Sequence, residues 1–322
     1  MTASLATEVP APEPGARIPA TQSRRSPPQL ACLRGVTKRF GPVIALSGFD
    51  LEVRQGEVLA VLGANGAGKT TALALLTGRL GADAGAVSLF GRDPRDPIVR
   101  RGIGVMLQDG KLPDTLQVAE QIRLFSSYYP NPRPLADTIA LSGLEGLGKR
   151  RYSALSGGQQ RRVQFALAIC GRPRLLFVDE PTVGLDVQAR RNFWQVLRTL
   201  RDDGTGIVLT THYLEEADAL ADRVVLMAAG RTLAHGSPAA IKAQALGKRV
   251  IAVTGVAAAE LARWPEVEAV EARDGRTHVR SRHSEALLRR WLAADPRLSD
   301  LQVLPLSLDD AFLSLTSQEP QP

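Results

Sequence analysis

The chain has 322 residues, 44% hydrophobic and 23% charged, proportions that fit a folded globular protein and exclude a wholly disordered or fibrous one. Its length suggests two structural units and suffices for a large core. Its apolar runs fall well short of the roughly 18 residues that a membrane-spanning helix needs. The net charge is +7, from 40 basic and 33 acidic residues. The excess lies between residues 31 and 245 without a long basic block, so it reads as a solvated, Arg-rich surface rather than a nucleic-acid tail.

Residues 1–30 contain six prolines and no aromatic residue, which predicts a disordered lead-in. They lack the apolar core of a secretory leader. From 31 to 245, continuous apolar runs at 58–62, 175–178, 207–211 and 224–227 predict strands buried on both faces. Helical patterns at 70–77, 188–200 and 214–221 alternate with them, which predicts an α/β sheet with crossovers. The stretch from about 110 to 168 carries helix signals without strands and reads as an inserted helical subdomain. Ser237 and Pro238 open one more helix as N-cap and first-turn residue.

Beyond 245 the pattern changes. Strands are expected at 249–254, 267–272, 277–280 and 302–304, with helices at 257–264 and 285–294. The order β-α-β-β-α-β predicts a small α+β, ferredoxin-like domain over 246–322. The two cysteines, Cys32 and Cys170, lack metal-ligand spacing and are expected in the core, which fits a reducing compartment.

Three strings carry the chemistry. Gly63-Ala64-Asn65-Gly66-Ala67-Gly68-Lys69-Thr70-Thr71 follows a strand and opens a helix. Its glycines let backbone amides converge on phosphate oxygens at a helix N-terminus. Lys69 is placed to reach the β- and γ-phosphates, and the Thr70 hydroxyl to ligate Mg²⁺. The run Leu175-Leu176-Phe177-Val178 delivers Asp179 and Glu180 to the C-terminal edge of a buried strand. Asp179 suits a Mg²⁺ held through water, and Glu180 suits deprotonation of an attacking water. The third string is Leu155-Ser156-Gly157-Gly158-Gln159-Gln160-Arg161-Arg162, at the start of a predicted helix.

With that third string the chain resembles the ABC-type ATPases, whose signature reads LSGGQ. The resemblance covers about 33–245 and implies a P-loop NTPase sheet domain with an inserted helical signature subdomain. It implies ATP and Mg²⁺ as cofactors. By the same resemblance Phe40 lies where an aromatic ring meets adenine, although many relatives have Tyr there. Gln108 falls in the glutamine loop that contacts Mg²⁺ and the attacking water and faces a membrane partner. Asp186, in Gly184-Leu185-Asp186, falls in the loop that links two sites of a dimer, and His212 is the switch histidine at the γ-phosphate. Ser156, Gly157, Gly158 and Gln159 are implied to close on ATP held by another subunit.

A narrower resemblance, to the motor subunits of drug and antibiotic exporters, rests on three segments. They are Thr211-His212-Tyr213-Leu214-Glu215-Glu216-Ala217-Asp218, Pro181-Thr182-Val183-Gly184-Leu185-Asp186, and the tail Leu308-Asp309-Asp310-Ala311-Phe312-Leu313. It implies a second ATPase subunit, a separate permease, and a place at the cytoplasmic face of the membrane. The alternative is a soluble ATPase acting on nucleic acid or the ribosome. Such proteins carry paired ATPase units, a coiled-coil insertion or zinc-ligand cysteines, and the chain has none of these patterns, so no nucleic-acid partner is expected.

Overall fold

A computed structural model describes residues 27–108, 110, 112–244 and 247–316. Most of the expected N-terminal lead-in therefore lies outside the described residues. Strand β1 (Gln29–Phe40) and strand β2 (Val43–Arg54) form an antiparallel hairpin. Strand β3 (Val58–Gly63) runs into helix α1 (Lys69–Leu76), and β4 (Ala84–Leu89) returns to pair with β1. The result is a three-stranded sheet in the order β2-β1-β4, which the apolar pattern did not predict.

A one-turn helix, α2 (Pro97–Arg100), is capped by the Asp96 carboxylate and leads to β5 (Ile103–Met106). The chain then leaves the sheet. Helices α3 (Val118–Ser126), α4 (Leu135–Leu141) and α5 (Gly157–Ile169) pack on a core of their own around Val118, Ile122, Leu144 and Val163. It returns as β6 (Leu175–Asp179), α6 (Val187–Asp202), β7 (Gly206–Thr210), α7 (Leu214–Leu220), β8 (Arg223–Ala228) and β9 (Arg231–Gly236).

The main sheet has six strands in the order β5-β6-β7-β3-β8-β9, parallel except for β9. Its apolar runs are explained by burial of both faces. In β6, Leu175 and Phe177 join the core beneath the β1–β2 hairpin, whereas Leu176 and Val178 join the core beneath α5 and α6. Successive side chains of a strand point to opposite faces, so a strand covered on both needs apolar residues throughout. The parallel strands all end at one edge, where β3 finishes in Gly63, β6 in Asp179 and β7 in Thr210.

Helix α8 (Pro238–Gln244) has Ser237 as its cap: the Ala240 amide donates to Ser237 Oγ at 3.1 Å. After it come β10 (Lys248–Val253), α9 (Ala258–Leu261), β11 (Ala269–Arg273), β12 (Arg276–Ser281), α10 (Ser284–Ala294) and β13 (Ser299–Pro305). They form an antiparallel sheet in the order β11-β12-β10-β13, the split β-α-β arrangement. Its core is Val250, Ala252, Leu261, Trp264, Val279, Leu287 and Trp291. The helix expected at 257–264 is only the single turn α9, because Pro265 disfavours helical backbone at Trp264.

The last helix, α11 (Leu308–Thr316), departs from the expected division at residue 246. It does not close the small sheet. Leu306, Leu308 and Ala311 are buried with Ala60, Leu62, Ala217, Val224 and Ile241, so α11 lies on the flank of β3 and β8 against α7 and α8. Leu306, Leu308 and Ala311 bury their apolar surface there, and burial of this kind is the main driving term in packing.

Candidate active site

The phosphate loop is shaped by close approach of its backbone to neighbours. Gly68 has φ 103°, and a Cβ there would lie 2.5 Å from the Ala45 carbonyl oxygen and 2.8 Å from Leu46 Cδ2. A Cβ at Gly63 would lie 2.5 Å from the Met227 carbonyl oxygen. Only glycine fits either position, so the loop seats directly on β2 and β8. Helix α1 follows with Gly68 as its cap and no side-chain cap bond. Its first amides are therefore left to a ligand, and the helix N-terminus favours an anion.

Lys69 is buried, and its ammonium donates to the Gly63 carbonyl at 2.7 Å and the Ala64 carbonyl at 3.1 Å. An ammonium has three donors, so one remains for a phosphate oxygen. Burial pushes the Lys69 pKa down, opposed by the negative charges of Glu180 and Asp179.

At the end of β6, the Asp179 carboxylate is buried and accepts a hydrogen bond from the Thr210 hydroxyl. Glu180 follows with φ 50°, in the left-handed region. Such a conformation costs a non-glycine residue of order 1–3 kcal/mol and persists only where neighbours enforce it. Here the Glu180 amide donates to the Thr210 carbonyl at 3.0 Å, and the Glu180 carbonyl accepts from Arg161 Nη2 at 2.6 Å. The carboxylate is 8% exposed, and its Oε2 lies 2.7 Å from Nδ1 of His212, a side chain that is half exposed.

These groups converge on one cavity of about 540 Å³ at the sheet edge, within the usual size of a ligand site. Lys69, Thr70, Gln108, Asp179, Glu180 and His212 line it, with Gly63, Ala64, Asn65, Gly66, Gly68 and Thr71 of the loop. Ala67 is buried beneath the loop. Phe40 is not among the walls; it is half exposed, with Lys38 Nζ 5.7 Å from its ring centroid. Val43 and Ile44 supply the apolar wall instead.

The signature residues also stand outside this cavity. Ser156 Oγ accepts from the Gln159 amide at 3.3 Å, and Gln159 Oε1 accepts from the Ser156 amide at 3.0 Å, a capping box at the start of α5. Gly157 and Gly158 form the first turn of that helix. Asp186 caps α6, its Oδ1 accepting from the Ala189 amide at 2.8 Å.

The oxygens of Thr70, Asp179 and Gln108 fit a hard cation that shares its ligands with phosphate and water. Among the described residues no group of three or more His, Cys, Asp or Glu could hold a metal ion by itself.

Three supporting residues had no functional reading in the sequence. Thr210 holds Asp179, and Arg161 reaches the Glu180 backbone from α5. Glu216 is fully buried behind the His212 segment and accepts from Trp194 Nε1 at 3.1 Å. Burial pushes its carboxyl pKa up, partly offset by Thr211 and Trp194. An acidic residue on the apolar face of α7 was the available signal for Glu216. Arg161 and Thr210 act on atoms that no residue pattern displays.

A family model described as ABC transporter matches residues 46–183. The Nod factor export ATP-binding protein I of Rhizobium sp. (strain N33) is 37% identical over 296 residues, covering 89% of this chain and 97% of that protein. The daunorubicin resistance ATP-binding protein DrrA3 of Streptomyces coeruleorubidus is 35% identical over 300 residues, covering 88% and 95%. A solved ATP-binding subunit of an ABC transporter superposes with a TM-score of 0.63 at 27% identity, over 67% of this chain and 92% of that one. A dimeric ATP-binding cassette in a post-hydrolysis state with ADP and phosphate gives 0.60 at 26% identity, over 65% and 98%.

Proposed function

The chain belongs to the ATP-binding proteins of ABC transporters and is an ATPase of the export type, and from that premise we propose that two copies share each ATP head to tail beneath a separate membrane permease. The relatives that align with nine-tenths of the chain are named for export and drug resistance, so the alternative of an ATPase acting on nucleic acid is not favoured. One observation carries the paired arrangement. The phosphate loop, Asp179, Glu180 and His212 line one cavity, while the N-terminus of α5 stands outside it. An anion-binding helix end with no phosphate of its own chain to meet is suited to the γ-phosphate of a second copy.

In this reading Lys69 and the amides of 63–71 bind the β- and γ-phosphates. Thr70, Asp179 and Gln108 hold Mg²⁺, which neutralises phosphate charge when bound. Glu180 takes a proton from the water that attacks the γ-phosphorus. His212 fixes the Glu180 carboxylate through Nδ1 and offers its other nitrogen to a phosphate oxygen. Phe40, with Val43 and Ile44, covers the base. The partner copy supplies Ser156, Gly157, Gly158 and Gln159, and Asp186 lies at the same junction. Residues 31–245 form the motor unit, with α11 added to it, and the small sheet is an accessory domain.

No helix among the described residues is long and apolar enough to cross a membrane. By likeness to export ATP-binding proteins, the motor reaches the cytoplasmic face of the membrane through its permease, docking by the loop that carries Gln108. Ser156→Arg tests the shared site. The variant is expected to bind ATP as the unsubstituted monomer does, measured by calorimetry, and to lose ATP-driven dimerisation in gel filtration. A dimer that persists with arginine at this position contradicts the arrangement.

A further inference from the structure

We propose that Arg161 is a positioning residue that ties the signature helix, the glutamine loop and the backbone of the catalytic carboxylate into one unit. Arg161 lies in the second turn of α5, five positions after Ser156. Its Nη1 donates to the Leu107 carbonyl at 2.9 Å, the Gln108 carbonyl at 2.8 Å and Gln164 Oε1 at 2.8 Å. Its Nη2 donates to the Asp179 carbonyl at 3.3 Å and the Glu180 carbonyl at 2.6 Å. Strands β5 and β6 are neighbours in the sheet, so the loops that leave them lie side by side, and the guanidinium spans the two.

The placement is specific in two ways. Four of the five acceptors are backbone oxygens, those of Leu107, Gln108, Asp179 and Glu180, in the two loops that carry Gln108 and the acidic pair. Glu180 is also left-handed, and the Arg161 bond holds the carbonyl side of that residue while the Thr210 carbonyl holds its amide. A planar fork of fixed donors can serve both loops at once; a single ammonium on a flexible stem cannot. Helix α5 thus presents Ser156 at its N-terminus and Arg161 one turn later, so a shift of the helix on contact with a partner's nucleotide is transmitted to Glu180 and Gln108 of its own chain.

The inference rests on Glu180 acting as the base, and a double-mutant cycle separates the two. Arg161→Lys and Arg161→Ala are each compared with the unsubstituted chain, in single turnover, alone and combined with Glu180→Gln. Arg161→Lys is expected to lower kcat by roughly 10–100-fold, the scale of a misplaced catalytic group, with KM for ATP within about twofold. Added to Glu180→Gln, it is expected to change the residual rate by no more than about twofold, since it acts through that side chain. An equal loss in both backgrounds, or a raised KM with unchanged kcat, overturns the positioning role. If Arg161→Ala does not fold, Arg161→Lys carries the same cycle. A fully active Glu180→Gln overturns the assignment of the base instead, whereas an inactive Glu180→Gln beside an unaffected Arg161→Lys overturns only the role of Arg161.

Discussion

Glu180→Gln is expected to lower ATP hydrolysis by about 10²–10⁴-fold, the range for loss of a general base, while ATP still binds. The carboxylate is almost fully buried, lines the cavity beside the phosphate loop and lies 2.7 Å from His212 Nδ1. Glutamine keeps the size and one acceptor oxygen but cannot take a proton. The left-handed backbone at this position belongs to the loop and not to the charge, so the substitution leaves the fold in place. Turnover under saturating ATP and affinity by calorimetry separate the two properties. A variant that hydrolyses at the unsubstituted rate would remove Glu180 from the chemistry.

Lys69→Ala is expected to act one step earlier, on binding. The ammonium is buried and ties two carbonyls of the loop, Gly63 and Ala64, while facing the cavity. Removing it leaves those carbonyls without their donor and deprives the phosphates of their nearest cation. A hydrogen bond to a charged group contributes about 1.5–3 kcal/mol, so affinity for ATP is expected to fall by roughly tenfold to 150-fold. Calorimetry with ATP checks this directly, and an unchanged dissociation constant is the contrary result.

Much of the site was legible because its motifs are local. Nine consecutive residues build the phosphate loop, and a single buried strand delivers Asp179 and Glu180, so spacing along the chain stands for position in space. The main sheet was legible for a related reason: runs such as Leu175-Leu176-Phe177-Val178 are apolar throughout only when both faces are covered. The β1–β2–β4 sheet was not legible. The pairing of β1 with β2 shifts register between Leu33 and Val36 and again between Val36 and Lys38, which breaks the alternation that marks a strand.

Contacts made through backbone atoms were equally hidden. Nothing in the residue types of 107–108 and 179–180 announces that their carbonyls converge on Arg161. The destination of α11 was hidden as well, because its apolar face is compatible with either sheet. Only the uncovered flank of β3 and β8 decides between them. Phe40 is read from the resemblance alone: an aromatic residue occupies the expected place in the sequence, outside the cavity whose apolar wall is Val43 and Ile44.

Mixing two inactive variants tests the shared site most directly. Lys69→Ala keeps an intact signature, and Ser156→Arg keeps an intact phosphate loop. A head-to-tail pair of one each contains one complete site and one that lacks both halves. Equimolar mixing is therefore expected to restore ATPase activity well above the summed rate of the separate variants, since only a mixed pair holds a working site. A mixture that stays at the summed rate of the separate variants would contradict the claim that each ATP is clasped between two copies.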